Sequence, residues 1–457
     1  MALLLRSAIL GVHRKYSFCI RHPTRFFERN FVSSRDRISR AKQEILKENL
    51  FYYIETHSFK LGLIEALGCF GIDRQSVSLP LSENFNEHCG NWRFIWHRIP
   101  GSDGHYLYKN ISSSILFAKG YQALNSYIND GRLEPDTAIA LLALERFFNE
   151  KGHHEECLEK LHDAKEELTE IQVAAILAEH LLSRLLPYPS NYYLNRFSRG
   201  KPNECPCGCG VPVQFGFTHL GCPQLFQGEM DFVLFPDNKD MSMVEVDNTA
   251  SAVFNVVRDS QQKTGYIDCD DRDFELNEDS SAIEEGEEFS DFDAEETLRQ
   301  TCKQAIAASI CKYKGLMNGK LGGLNSSKLC VVPVCSLSRN SYDITAYDAR
   351  HDFLLKACQG SMKVFEEDNS LKFAAMVDLW LMINHNKFCT AMPPRALNSI
   401  KGTCKLVPQL GEERFMSAVR NSTWLYQASI GKKFDYLPTD PSITKCVNEQ
   451  LGITWRD

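Results

Sequence analysis

Apolar residues spaced three and four positions apart predict helices along much of this chain. The pattern covers residues 38–67 and 135–152 in the first third, and residues 168–186 after them. Pro135 marks the start of the second helix, because proline is favoured in the first turn. A fourth long helix is predicted over residues 297–315. Much of the chain is therefore expected to be helical.

Between these helices, alternating apolar and polar residues predict strands. One hairpin is predicted around a turn at residues 236–240, and a second joins residues 328–337 to residues 341–348. A short helical pattern over residues 251–263 follows the first hairpin. The order helix, strand, hairpin, helix, strand predicts an α/β (α+β) fold, in which a small mixed sheet is flanked by helices.

At 457 residues the chain has room for two or three domains. The patterns predict four regions: a leader, 1–34; a mainly helical region, 35–165; a mixed core, 166–348; and a mainly helical region, 349–457. The best candidate for a membrane span, AAMVDLWLMI, is short and contains Asp378. No transmembrane segment is therefore expected.

Residues 1–34 are rich in arginine and in hydroxyl-bearing side chains, and they contain a single acidic residue, Glu28. This composition is typical of a mitochondrial transit peptide, because the import machinery and the membrane potential favour a cationic amphipathic helix. The expected location is the mitochondrial matrix. The alternative is a basic tail on a cytoplasmic or nuclear protein.

The net charge of −8 is distributed unevenly along the chain. Residues 268–296 contain fifteen acidic residues and one basic residue, Arg272, so the rest of the chain carries a net charge of +6. Such an acidic insert is typical of a solvated, disordered loop. The basic remainder is compatible with a phosphate-rich partner such as nucleic acid, either DNA or RNA.

The first predicted hairpin carries four carboxylates inside an otherwise apolar stretch, GEMDFVLFPDNKDMSMVEVDN. With the turn at residues 236–240, Asp231 faces Glu245 and Glu229 faces Asp247 across the two strands. Because side chains alternate along a strand, all four carboxylates project from one face. Like charges this close repel each other unless a cation lies between them, and Mg²⁺ and Mn²⁺ prefer oxygen ligands. The alternative is a solvated polar face without a metal ion.

An acid in one strand, followed by acid–X–acid near the end of the next, resembles the PD-(D/E)XK nuclease superfamily. A helix before these strands, and a helix and a strand after them, extend the resemblance over roughly residues 168–348. It implies a restriction-endonuclease-like core of helix, three strands, helix and strand. It also implies that Asp231 and Glu245 hold the metal ion, with Glu179 on the preceding helix as an additional ligand.

By the same resemblance, the protein would hydrolyse phosphodiester bonds in nucleic acid, since the metal ion activates water and neutralises the leaving oxygen. Glu229 or Asp247 would assist the metal. The family's second motif usually ends in lysine, but here that position is Asp247. Lys303, on the predicted helix 297–315, is the candidate replacement for the missing cation. A catalytically inactive nuclease-fold protein that binds nucleic acid or protein is the alternative.

A second cluster of metal-binding residue types lies in the segment ECPCGCGVPVQFGFTHLGC. Cys205, Cys209, His219 and Cys222 are the candidate ligands of a structural zinc ion, because zinc prefers thiolate and imidazole. His219-x-x-Cys222 has a suitable spacing, whereas Cys-x-Cys-x-Cys is an unusual one. The alternative is a set of reduced cysteines in a turn. The segment KGHHEECLEKLHD, which holds three more histidines, predicts an exposed helix.

Overall fold

The computed structural model of the chain describes residues 40–68, 83–84, 92–100, 106–130, 135–162, 168–187, 192–221, 225–234, 252–256, 288–318, 329–358, 362–389 and 391–425. These residues form helices and mostly antiparallel sheets, which confirms the mixed α+β class at that level. The predicted leader, residues 1–34, lies outside them. Of the helices in these ranges, none combines the length and the apolar character needed to cross a membrane.

Among the described residues, six α-helices precede the predicted hairpin. They are α1 (Arg40–Thr56), α2 (Ser113–Leu116), α3 (Ala118–Asp130), α4 (Pro135–Asn149), α5 (Lys151–Leu158) and α6 (Glu170–Leu177). A 3₁₀ turn (Glu159–His162) extends α5. A π-helical turn (Ala178–Leu182) and a second 3₁₀ turn (Ser183–Leu185) extend α6. The helices predicted over residues 135–152 and 168–186 are confirmed.

Six more α-helices lie in the second half of the described residues. They are α7 (Glu288–Met317), α8 (Phe373–Ile383), α9 (His385–Phe388), α10 (Pro394–Ile400), α11 (Leu406–Leu410) and α12 (Glu412–Asn421). The helix predicted over residues 297–315 is confirmed within α7. The end of the acidic insert, residues 288–296, forms the first turns of this helix, and residues 268–287 lie outside the described ranges.

The main sheet has eleven strands in the described residues. Its path is β3-β1-β15-β14-β13-β12-β11-β7-β8, with β16 beside β14 and β6 beside β1. The bounds are β1 (Lys60–Gly68), β3 (Trp92–Trp96), β6 (Asn110–Ser112), β7 (Tyr192–Asn195), β8 (Phe215–Gly216), β11 (Phe232–Leu234), β12 (Ala252–Val256), β13 (Val332–Leu337), β14 (Ser341–Asp348), β15 (Phe353–Ala357) and β16 (Met362–Lys363). This sheet is larger than the small one predicted.

The described residues also form two smaller sheets. One follows the order β17-β9-β10-β2, and the other is the pair β4-β5. The bounds are β2 (Glu83–Asn84), β4 (Arg98–Pro100), β5 (Tyr106–Tyr108), β9 (His219–Gly221), β10 (Phe226–Glu229) and β17 (Thr423–Leu425).

The N-terminal part of the chain contributes a central strand to the main sheet. The helix predicted over residues 38–67 is wrong in its second half, where β1 pairs with β15, β3 and β6. Leu61 and Leu63 enter one core cluster, whereas Ile64 and Ala66 enter the other. A strand buried on both faces is apolar throughout, so its sequence resembles a buried helix segment. The sheet includes strands from all three regions that the sequence separated after the leader.

The main sheet separates two hydrophobic clusters, because successive side chains of its strands point to opposite faces. On β14, Tyr342 and Ile344 belong to the larger cluster, which also holds α6 and α8 side chains. Tyr347 belongs to the second cluster, in which α7 packs against β13 and β14. Buried α7 residues such as Ile306 fill the space under this helix.

The predicted hairpin around residues 236–240 is wrong in its pairing. β11 pairs with β12, with Phe232 opposite Phe254 and Leu234 opposite Ala252, rather than with the residues directly after the turn. The helix predicted over residues 251–263 is also wrong, since 252–256 form β12. Its sequence, AVFNV, is rich in β-branched and aromatic residues, which favour a strand placed between two others.

The second hairpin is confirmed, with β13 and β14 antiparallel and Val334 opposite Thr345. β12 and β13 are parallel, and α7 lies in the chain between them. Parallel neighbours need such a crossover, because a tight turn cannot return the chain to the same end of the sheet. From α6 to β13, the described residues contain six strands, β7 to β12, between helices α6 and α7, where the sequence predicts three.

Candidate metal centre

A short loop between β7 and β8 brings three cysteines together. Its ends are held by an antiparallel bridge between Glu204 and Pro212. Inside that bridge, the Cys205 N–H donates to the Val211 carbonyl at 2.8 Å; outside it, the Val213 N–H donates to the Asn203 carbonyl at 3.1 Å. These bonds fix the loop backbone on both sides of the cysteine cluster.

Two glycines give the loop its shape. Gly208 has φ of +88° and Gly210 has φ of +75°, both in the left-handed region that other residues rarely adopt. An added Cβ would meet no atom within 4 Å at either position, so the requirement for glycine is conformational and not steric. The alternation Cys-x-Cys-Gly-Cys-Gly therefore lets the backbone curl until the thiols of every second residue converge.

His180 approaches these thiols from the helix that follows Thr169. Its Nε2 lies 3.5 Å from the Cys205 sulfur, 3.1 Å from the Cys207 sulfur and 3.4 Å from the Cys209 sulfur. The four ligand atoms all lie within 4.8 Å of one another. Across the described ranges, this is the one group of His, Cys, Asp or Glu residues compact enough to hold a metal ion.

The distances match a tetrahedral zinc site. Zn–S bonds of about 2.3 Å and Zn–N bonds of about 2.0–2.1 Å place N and S ligands roughly 3.5 Å apart. The three N–S distances, 3.1 to 3.5 Å, lie at or just below that value. Three thiols and one imidazole also form a common ligand set of structural zinc. The residues therefore fit zinc in number, chemistry and spacing.

The π-helical turn positions His180. Such turns insert one extra residue into a helix and are frequent at functional sites. The carbonyl of Glu179 accepts hydrogen bonds from the Ser183 hydroxyl and the Arg184 Nε–H, each at 3.0 Å. The widened turn is thus stabilised by side chains, and His180, only 2% exposed, is held facing the cysteine loop.

Proton sharing among the thiols shows how closely they approach. The hydrogen bond from Cys205, together with the contact with His180, lowers the pKa of Cys207 to about 3, against the opposing effect of burial. The same bond and burial raise the pKa of Cys205. Burial raises the pKa of Cys209. One sulfur of the cluster is therefore readily a thiolate, the form that binds metal.

A fourth thiol lies beside the cluster, on α5. Cys157 is half-buried and hydrogen-bonds to Cys207, and burial together with the neighbouring thiols raises its pKa to about 12. On the same helix His154 is only 2% exposed and stacks on Phe147, with ring centres 5.0 Å apart. The prediction that this segment is an exposed helix is therefore wrong, because one of its faces packs against the cysteine loop and the core.

Of the four predicted zinc ligands, the structure places Cys205 and Cys209 in the metal group. His219 is not in the group; it lies on β9 opposite Glu229 of β10, and burial lowers its pKa. Cys222 lies outside the described residues. Sequence reasoning missed His180 and Cys207 as ligands. The signal for Cys207 was the unbroken Cys-x-Cys-x-Cys, whereas a lone histidine in an apolar helix gives none.

Of the four carboxylates in the predicted hairpin site, Glu229 and Asp231 lie in the described residues. Glu229 ends β10 in the four-stranded sheet, whereas Asp231 lies just before β11 of the main sheet. Glu245 and Asp247 lie outside the described residues. The sequence pattern could not reveal that Met230 separates two different sheets.

Glu179 and Lys303 are both buried. Glu179 forms an ion pair with Arg184 and accepts a hydrogen bond from the Tyr192 hydroxyl at 3.1 Å. Its carboxylate is therefore engaged beside the cysteine cluster and belongs to no group of metal ligands among the described residues. Lys303 is 1% exposed on α7.

Comparisons with protein-family models, with curated proteins and with solved structures find no match for this chain.

Proposed function

We propose that this chain is a zinc-binding protein in which His180, Cys205, Cys207 and Cys209 hold a structural Zn²⁺. The observation that carries the proposal is the convergence of these four ligand atoms within 4.8 Å. Structural zinc sites are closed by four protein ligands, whereas catalytic sites keep one position open for water or substrate. Four protein ligands therefore favour a structural role.

The role of the ion would be to join the cysteine loop to helix α6. Loop and helix are connected through β7, and the loop is otherwise held mainly by the short bridge between Glu204 and Pro212. Metal binding in such a site contributes directly to folding, because the unfolded chain offers no preformed ligand set. The centre would thus fix the geometry of everything between β7 and β8.

Metal analysis of purified protein tests this proposal. We expect one zinc per chain and its loss in Cys207→Ser and in His180→Gln. His219→Gln is the matched control, because His219 is a half-buried histidine outside the ligand group. Replacement by Co²⁺ should give the visible absorption of tetrahedral thiolate coordination. A protein without zinc, or a His180→Gln variant that keeps it, would contradict the proposal.

A second candidate function is metal-dependent hydrolysis of nucleic acid by a PD-(D/E)XK-like core. Its support is the parallel pairing of β12 and β13 across α7. Asp231 extends the β7–β11 pairing, since its carbonyl accepts the Asn195 N–H at 2.8 Å. By strand alternation it shares a face with Val233, which packs in the α7 cluster. Lys303 belongs to that same helix.

Mg²⁺- or Mn²⁺-dependent cleavage of single- and double-stranded DNA and RNA tests this second candidate. Cleavage lost in Asp231→Ala and kept in Glu229→Ala would support it, because Glu229 lies in the other sheet. Binding without cleavage would instead favour the inactive, nucleic-acid-binding alternative. If the protein neither binds nor cleaves nucleic acid, both the nuclease candidate and the inactive nucleic-acid-binding alternative are excluded.

A further inference from the structure

The turn after β7 places an arginine against one exposed aromatic ring, Phe197, and one half-buried ring, Phe217. The Arg196 guanidinium lies 4.1 Å from the ring centre of Phe217 and 5.2 Å from that of Phe197. The two rings contact each other edge to face, with centres 5.7 Å apart. Phe197 is 57% exposed, which is costly for a large apolar side chain without a partner.

More positive charge follows in the same turn. Arg199 and Lys201 are exposed, and the Lys201 ammonium lies 5.6 Å from the Phe215 ring centre. The segment NRFSRGKPN, residues 195–203, contains three basic residues and no acidic one. These side chains form what we call the basic-aromatic patch: Arg196, Phe197, Arg199, Lys201, Phe215 and Phe217.

The backbone holds the patch together. The Arg196 N–H donates to the Gly216 carbonyl at 2.9 Å, which aligns the turn with β8. The Lys201 ammonium donates to the Arg196 carbonyl at 2.6 Å and closes the turn. Gly216 leaves no room for a side chain, since a Cβ there would lie 2.9 Å from the Tyr193 ring. The aromatic rings are therefore carried on a defined strand edge.

We propose that the basic-aromatic patch binds single-stranded nucleic acid. Positive side chains attract the phosphate backbone, and exposed aromatic rings stack on bases whatever their sequence. Stacking requires unpaired bases, so the aromatic part favours single strands over a duplex. The charge argues against an apolar peptide as the partner, because Arg199 and Lys201 would lose hydration without gaining counter-charges.

The position of the patch agrees with this assignment. Its turn runs from Asn195, whose N–H donates to the Asp231 carbonyl, to the cysteine loop. The turn therefore adjoins the backbone of Asp231 through Asn195. The inference goes beyond the zinc centre and needs no cleavage activity. It also names a substrate class for the nuclease-like candidate.

Fluorescence anisotropy with the full chain tests the proposal, using labelled oligo(dT), oligo(U) and a DNA duplex. We expect both single strands to bind more tightly than the duplex. Phe197→Ala should weaken single-strand binding by about tenfold, the loss typical of one stacked base. Removing Arg199 and Lys201 together should lower the slope of log K against log salt concentration by roughly 0.7 per lost phosphate contact.

Two exposed residues elsewhere provide matched controls. Phe51 on α1 is 56% exposed, and Arg395 on α10 is exposed. Phe51→Ala and Arg395→Ala should leave binding unchanged. Any of three results would overturn the proposal. Phe197→Ala could bind as tightly as the parent chain, the duplex could bind as tightly as the single strands, or the chain could bind none of them. The zinc content of the same samples shows whether the metal-centre proposal also fails. A protein that holds zinc but does not bind single strands overturns only the nucleic-acid proposal.

Discussion

The Nε2 atom of His180 lies 3.1 Å from the sulfur of Cys207, although 27 positions separate the two residues in the chain. The histidine comes from a helix and the cysteine from a glycine-rich loop, with strand β7 between them. Each partner alone would be an ordinary buried side chain. Their convergence with two further thiols is what makes the site a candidate metal centre.

Replacing either loop glycine should weaken this centre. Gly208→Ala and Gly210→Ala force an L-residue into the left-handed region, which costs roughly 1–2 kcal/mol each. We expect a lower free energy of unfolding in urea and a weaker affinity for zinc. Gly152→Ala is the control, because Gly152 lies in helix α5, has no positive φ and has nothing within 4 Å of an added Cβ. That change should be neutral or stabilising, and equal losses in all three variants would contradict this account.

Replacing the fourth thiol, Cys157, tests whether His180, Cys205, Cys207 and Cys209 are the complete set of zinc ligands. It contacts Cys207 but is not among the residues whose ligand atoms lie within 4.8 Å of one another. Cys157→Ser should therefore keep one zinc per chain, whereas Cys207→Ser should lose it. Metal content by atomic spectroscopy, with unfolding measured before and after a chelator, checks the prediction. Loss of zinc in Cys157→Ser would make Cys157 a ligand.

Part of this centre could be predicted from the sequence. Cys205 and Cys209 are separated by few residues, and their residue type alone favours zinc. His180 could not be found, because a single histidine in LAEHLLSRLL looks like part of a buried helix. The preferred partner, His219, had a suitable spacing to Cys222, but strand pairing places it opposite Glu229. Local spacing identifies ligands only when one loop supplies all of them.

The fold, like the metal site, is predictable from the sequence where local patterns decide the structure, and not where distant residues decide it. Helices α4 and α7 and the hairpin of β13 and β14 were predicted, because their patterns are long or their turn is short. β1 was taken for a helix, since a strand apolar on both faces has no alternation. The pairing of β11 with β12 was missed because its partners are distant in the chain, with Leu234 opposite Ala252. The strand conformation of β1 and the pairing of β11 are therefore determined by residues that are distant in the sequence.

The buried carboxyl of Asp378 should make stability depend on pH. It accepts hydrogen bonds from the Tyr53 hydroxyl at 2.5 Å and the Tyr342 hydroxyl at 2.6 Å, while burial raises its pKa to about 7. The folded state therefore binds a proton that the unfolded state, with a pKa of about 3.8, releases. The contribution of Asp378 to the free energy of unfolding is fully present at low pH. It decreases by up to about 4 kcal/mol as the pH rises from about 4 to 7.

Asp378→Asn should remove this decrease, because an amide does not titrate; its Oδ1 accepts from one tyrosine hydroxyl and its Nδ2–H donates to the other hydroxyl oxygen. Urea unfolding between pH 4 and 8 measures the effect. Asp368→Asn is the control at an exposed site, where hydrogen bonds from Ser370 lower the pKa of the carboxyl. If the free energy of unfolding changes with pH equally in the parent protein and in Asp378→Asn, this carboxyl is not the cause of the pH dependence.

Gly62→Ala tests whether the N-terminal part of the chain is built into the main sheet. In the structure, an added Cβ at Gly62 would lie 2.4 Å from a ring carbon of Trp96 and 2.9 Å from the sulfur of Cys358. Trp96 is on β3, and Cys358 directly follows β15, so the clash involves two of the three chain segments that flank β1. We expect a loss of about 1–3 kcal/mol in the free energy of unfolding, the usual cost of overpacking. A helix at this position, as the sequence pattern predicted, would instead be stabilised by alanine, so a more stable Gly62→Ala variant would refute the placement of β1.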